Sequence, residues 1–476
     1  MSRKIIVYIL FLLLITTACR KSDKLFTGDA TLGFTSTLIY FDTVFTRIPG
    51  GVYPRSINKQ FMVRNPYDKK ISTSIRLAGG DNSPYRINVD GRPGASFTEV
   101  EIRAKDSMWV FVEASLEPNN QNNPIEVKDS IEFVTNGNTQ FVQLRAFGWD
   151  AHYFYNDSIT TNTTWTNADN KPYVIVNYLL VNSGVTLTID PGVHVYSTPN
   201  SVFGSGSSRF NISALNVLGT LKIAGTKTSP VIFEGDRLEN VEPYDYTNKP
   251  GQWRGIHFYR GSVDNEITHA EIKNATIGIW VDSLSENANP KLIIKQSLIK
   301  NCSSIGVLGL TATINMENSV ISNCGSNTFY GYLGGIYNFA NCTFNNSSSG
   351  TGKGLHFIIS NVLRDGNGAK IRNYLPIGHK IVNCIIYGPG ESAIGFDIDV
   401  NATPAIVDHC LLKIKTVSGI TNIFNKDPLF NDAPKSNLRL KVGSPAIDKG
   451  DNIGISIDFD DKTRSGIPDI GAFEFN

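Results

Sequence analysis

One phrase returns along residues 269–411 and limits what this chain can become. It reads HAEIKNATIGI, QSLIKNCSSIGV, NSVISNCGSNTF, NCTFNNSSSG, NCIIYGPGESAIG and HCLLKIKTVSG. Its second place is always small: Ala270, Ser297, Ser319, Cys342, Cys384 and Cys410, at steps of 27, 22, 23, 42 and 26 residues. β-Branched residues surround that column and Asn recurs beside it. A unit of this length cannot bury its own apolar face, so the copies must stack into a β-solenoid.

At 476 residues the chain is too long for one compact core unless much of it is a repeat array, which predicts two or three structural units. Charged residues are 18% and aromatics 10%, a balance that suits many short strands and is too apolar for a disordered chain. The formal charge is +1; removing Arg3 and Lys4 with the N-terminal segment leaves 42 basic against 43 acidic residues, or −1. That excludes the basic footprint of a nucleic-acid binder.

Arg3 and Lys4 precede an apolar run, 5–15, and then Thr16-Thr17-Ala18-Cys19, the three zones of a secretory signal. The run is short for a membrane span. Cys directly after Ala resembles a bacterial lipobox, with Thr16 where that pattern usually has Leu; the alternative is an ordinary cleaved signal with an incidental Cys. The resemblance implies a signal peptide over 1–18, acylation of Cys19, a polar tether over 19–31 that looks like the export signals of Bacteroidetes surface lipoproteins, and anchoring to a bacterial outer membrane. The other five cysteines, Cys302, Cys324, Cys342, Cys384 and Cys410, all fall in the repeat. An odd number argues against a complete disulfide framework, and the absence of CxxC or clustered His argues against a metal site, so they read as stacked, buried thiols.

Residues 32–150 alternate apolar and polar in short strands, at 60–64, 74–77, 85–89, 98–102, 109–113, 129–133 and 140–144. Turn residues separate them, including Asn136-Gly137, which suits a tight hairpin. Seven strands at this spacing predict a β-sandwich of immunoglobulin type. The order VRNPYDKKISTSIRL, SMWVFVEASL, FVQLRAFG resembles domains of the ASPM-SPD-2-Hydin kind. After an Asn/Thr-rich stretch read as a connector, 151–172, come strands of three to five residues closed by Gly, Pro or Asp: YVIV, VTLTIDPGV, LNVLGTLKIAGT, PVIF and QWRGI. This succession resembles the first coils of bacterial right-handed parallel β-helix proteins, and implies such a helix over 173–426. The phrases DPLF, LRL, GSPAIDKG and DIGAFEF within 427–476 resemble the closing module of many bacterial extracellular β-helix proteins. The expected role is an end cap, because an open last coil would pair with another chain.

Regularity fails twice: at 236–250, and at 347–379, which accounts for the 42-residue step; its excess is about the length of one further coil and reads as an ordinary rung, Leu355 to Ser360, plus one polar loop. The second excursion carries Lys353, His356, Arg364, Lys370, Arg372 and His379. Parallel β-helix proteins include polysaccharide lyases and glycoside hydrolases. A lyase needs a base such as Lys or Arg to take the proton beside a uronate carboxylate, and Ca²⁺ or basic side chains to neutralise that carboxylate, which makes Lys353, Arg364, Lys370, Arg372 and His379 candidates. A hydrolase needs spaced carboxylates, and Asp397 and Asp399 alternate on one strand, read as a solvated face with Phe396 and Ile398 pointing inward. Asp458, Asp460 and Asp461 invite Ca²⁺ but lack the Gly and distal Glu of an EF-hand loop. Trp253, Phe258, Tyr259 and Trp280 are either a sugar platform or packing, with packing favoured. The reading that best covers these features is a lipid-anchored envelope protein that binds polysaccharide without turning it over; an enzyme of the lyase or hydrolase type, and an adhesin or assembly partner, are the alternatives.

Overall fold

A computed structural model of the chain describes residues 24–47, 56, 58–198, 213–238, 240–241, 244–347, 354–374, 376–399, 405–415 and 421–475. The signal segment, Cys19 and Lys353 lie outside the described residues. The chain divides into two compact units, Met1–Asp150 and Ala151–Asn476.

The first unit is a β-sandwich of two five-stranded sheets. One orders Gly33–Phe34, Lys59–Arg64, Ser107–Ala114, Tyr85–Val89 and Arg92–Gly94; the other orders Leu38–Phe45, Asn138–Trp149, Ile125–Thr135, Ile71–Leu77 and Ser96–Ile102. Pairing is antiparallel except between Leu38–Phe45 and Asn138–Trp149. The alternation reaches the core directly: Phe61, Val63, Ile75, Val110, Val112, Phe133 and Leu144 are buried together between the sheets.

The second unit is a parallel β-solenoid whose strands, 25 among the described residues, run in three ladders. The first ladder passes from 173–176 through His194–Thr198, Val231–Gly235, Ala270–Lys273, Leu298–Lys300, Val320–Ser322, Thr343–Asn345 and Ile385–Tyr387 to Leu411–Leu412. The second includes Ala214–Val217, Gly255–Phe258, Ile277–Asp282, 305–310, 327–332, Phe357–Ser360 and Ile394–Asp397. The third includes Leu292–Lys295, 312–317, 335–340 and Ile377–Val382. Inward residues of all three form one continuous core.

The repeated phrase is the corner into the first ladder together with its strand. Its first residue, His269, Gln296, Asn318, Asn341, Asn383 or His409, takes φ between 38° and 54°, and Asn is among the few residues that tolerate that left-handed conformation. The small residue after it points inward, and in four of the six its side chain both donates and accepts a bond. Ser297 and Ser319 donate to the carbonyls of Lys295 and Glu317, and accept from the N–H of Ala270 and Ser297 one coil back. Cys384 and Cys410 repeat the arrangement in sulfur, donating to Val382 and Asp408 and accepting from Cys342 and Cys384. All five described thiols are free and buried.

Two expectations change and one is sharpened. Residues 151–172 are the first coil rather than a connector: His152–Ile159 and Thr163–Trp165 pair in parallel with Tyr173–Val181 and Thr186–Ile189. The step from Cys342 to Cys384 adds no further coil, because strands on either side of it pair directly; the expected rung is there as Phe357–Ser360, and the polar loop is an antiparallel hairpin, Val362–Arg364 with Lys370–Asn373. Among the described residues the closing module packs against a side of the solenoid rather than over an end. It lies along the first ladder's outer side, from Lys227 and His269, which meet Asp460 and Asp461, past Asn318, Thr343 and Asn383 to Leu411. Seven rungs at about 4.8 Å make this a strap about 30 Å long. What draws it there is an outward apolar row, Leu298, Val320, Ile385 and Leu411, which it buries under Phe430, Leu438, Ala446, Ile470 and Phe473.

Candidate functional site

Side chains alternate inward and outward along each strand, so one outward position of the second ladder makes a row across coils. Register places Asn216, His257, Trp280, Leu308, Tyr330 and Ile358 in that row. The row two residues on carries Asp282, Leu310 and Tyr332. The result is a stripe of rings and aliphatic side chains along one flank.

Its densest part surrounds His257. The imidazole lies between the rings of Tyr259 and Trp280, with centroids 3.8 and 4.4 Å away, and its Nε2 is 2.8 Å from Asp282. The Arg254 guanidinium stands 5.7 Å over Trp280. Beneath, the fully buried Lys291 donates to the carbonyls of Tyr259 and Asp282 and to the Ser283 hydroxyl at 3.3, 2.7 and 2.9 Å. Burial pulls its ammonium down to about 8 against the opposing pull of Asp282 and Glu286, and its bonds brace the turn that holds Asp282. Further along, the rings of Tyr330 and Tyr332 are 5.3 Å apart, and burial followed by the Tyr332 and Asp397 charges raises the Tyr330 hydroxyl. The other half of the expected platform is packing: Trp253 and Phe258 are buried, and the indole N–H of Trp253 donates to the Lys273 carbonyl at 2.8 Å.

The hairpin brings Arg364, Lys370 and Arg372 together and commits two of them. Arg364 grips both oxygens of Asp397, at 2.5 and 2.9 Å, and Lys370 meets Asp399 at 2.7 Å, where Asn373 also donates. Arg372 stacks 5.1 Å over Tyr374. His379 faces the interior against Tyr337, ring centroids 5.4 Å apart, and burial lowers its imidazole to about 4. Two of the bases a lyase would use, Arg364 and Lys370, are thus held by the carboxylates a hydrolase would use. Arg364 keeps Asp397 below the usual carboxylate range, which unfits it as a proton donor, and Asp397 in turn raises Arg364. The solvated face expected for these acids is an ion-paired one, with Asp399 buried; Phe396, expected inside, is 38% exposed on the last described rung of its ladder.

In the closing module, Asp458 is buried and spends its oxygens on backbone N–H groups, Asp460 and Lys462 on one and Glu474 on the other, each 2.8 Å. Asp460 pairs with Arg439 at 2.7 Å, and Asp461 faces His269 at 3.3 Å. Their oxygens point to separate partners, and no group of three His, Cys, Asp or Glu converges as a cation site among the described residues. The DIGAFEF phrase acquires a structural reading. Asp469 accepts from the N–H of Asp448 and Phe475, Gly471 takes φ 105° where a Cβ would meet Ile385 at 2.8 Å, and Glu474 pairs with the buried Arg464.

No family model matches this chain, and no curated protein matches it. Among solved structures it is similar to the catalytic domain of a GH87 alpha-1,3-glucanase in complex with nigerose, at 10% identity over 75% of this chain and 81% of that one, TM-score 0.27. It is also similar to the E. coli chaperone DraB, at 10% identity over 27% and 57%, TM-score 0.18, and to a family 123 glycoside hydrolase from Clostridium perfringens, at 10% over 27% and 31%, TM-score 0.18. The first such structures are spanned over only 50 to 60% of their length. Overlaps of this kind leave the function to the chain's own residues.

Proposed function

We propose that this protein is a lipid-anchored bacterial envelope protein whose solenoid binds polysaccharide along the second ladder without cleaving it. The carrying observation is the stripe from His257 and Trp280 to Tyr330 and Tyr332. Sugar rings offer apolar C–H faces rimmed by hydroxyls, and a stripe of rings and aliphatic side chains bordered by Arg254, Asp282 and Asp397 answers both. The mutual occupation of Arg364 with Asp397 and Lys370 with Asp399 supports binding over turnover.

The test is binding of the full chain to a panel of soluble polysaccharides by affinity electrophoresis. Trp280→Ala and Tyr330→Ala each weaken retention about tenfold while leaving the melting temperature unchanged. Retention that ignores both substitutions, or release of unsaturated or reducing ends during incubation, overturns the reading. For the anchor, Cys19→Ala moves the protein from the membrane fraction to the soluble one; membrane retention of that variant removes the lipid-anchor part alone.

A further inference from the structure

We infer a second binding site, for a short acidic saccharide, in the cleft between the closing module and the first ladder. The cleft offers about 720 Å³, within the range of sites that hold small molecules. Its solenoid wall carries Asn345, Tyr387 and Lys413, and its module wall Leu429 and Lys441. The Lys413 ammonium stands 5.9 Å over the Tyr387 ring. Among the described residues neither Lys413 nor Lys441 has a carboxylate partner, whereas the two acids of the cleft are engaged: Asp432 with Lys435 at 3.5 Å, and Asp427 with the N–H of Leu429 at 2.9 Å.

The second observation is Asn345. It is 3% exposed, and its side-chain amide nitrogen finds no acceptor among the described residues, a vacancy that buried donors rarely keep. Two unpaired ammonium groups and this amide call for an anionic acceptor. A bare inorganic anion would use those three and meet Asp427 and Asp432 unfavourably. A uronate uses everything present: its carboxylate takes the donors, its hydroxyls reach the aspartates' remaining oxygens, and its apolar face lies on Tyr387 and Leu429. A neutral sugar leaves both lysines unanswered.

This site rests on the polysaccharide reading only for its ligand class, since it lies on the first ladder and the stripe on the second. The experiment is calorimetric titration of the full chain with tri-galacturonate and with its methyl ester. The acid binds; the ester, Lys413→Gln and Lys441→Gln are each about tenfold weaker, and the same losses appear when they are measured in a Trp280→Ala background, where the stripe is silenced. Equal binding of acid and ester, parent-like binding by the double lysine variant, or no binding of tri-galacturonate overturns the inference. Loss in Trp280→Ala with no loss in the lysine variants assigns the acid to the stripe instead.

Discussion

Serine and cysteine share one inner column because each offers a donor and an acceptor in a small volume. The column therefore predicts its own tolerance. Cys384→Ser keeps the bonds to Val382 and from Cys342 and leaves the urea midpoint nearly unchanged, while Cys384→Val loses both, crowds the corner, and costs about 2 kcal/mol. Equal losses in the two variants refute the pairing argument. His356 makes a second residue-scale prediction. Its Nε2–H donates to the Tyr387 carbonyl at 3.1 Å, which leaves Nδ1 to accept from Thr328 at 2.8 Å, and burial lowers the imidazole to about 4. A lowered His pKa means that the unfolded chain takes up the proton first. Stability attributable to this residue is complete above about pH 6.5, falls as the pH drops towards 4, and the loss reaches about 3 kcal/mol. In melting temperatures measured from pH 7.5 to 4, His356→Gln starts lower and has the flatter acid limb.

The hairpin Val362–Arg364 with Lys370–Asn373 is held by two ion pairs of unequal worth. Asp397 is 39% exposed and turns to water when its partner goes; Asp399 is 6% exposed and cannot. Lys370→Ala therefore costs about 2 kcal/mol in urea unfolding, and Arg364→Ala changes little; the reverse order refutes the burial argument. Strands and corners were legible in the sequence because both are local: alternation marks the sandwich strands, and a left-handed Asn before an inward small residue marks each coil. The hairpin's pairs join residues 33 and 29 apart, and no local pattern encodes that distance. The stripe was half legible for the same reason. Trp280 and Tyr259 stood out as aromatics, but Tyr330 and Tyr332 join them only through register between coils of unequal length. The strap's path did leave a trace that went unread. Val320-Ile321, Ile385-Ile386 and Leu411-Leu412 are apolar on both faces of a strand, and one face of each needs a cover.

At the scale of the molecule, a solenoid gains stability mainly from neighbouring coils, and the strap adds contacts that skip several of them. Its anchor is Arg464, 2% exposed, which binds Glu474 and donates to Asn318 and Gly471 at 3.0 Å. Arg464→Met strands a buried carboxylate and costs about 3 kcal/mol. Limited proteolysis distinguishes release of the strap from general unfolding: early cuts fall within 427–475 while the coils stay intact. Simultaneous loss of both refutes an independent strap.

The strap also sets an order of events during synthesis. Coils can form as the chain emerges, each on the one before, but Val320, Ile385 and Leu411 wait uncovered until residues 427–475 arrive. A chain that stops short of residues 427–475 therefore displays a greasy seam along its finished coils, and those residues act as its seal.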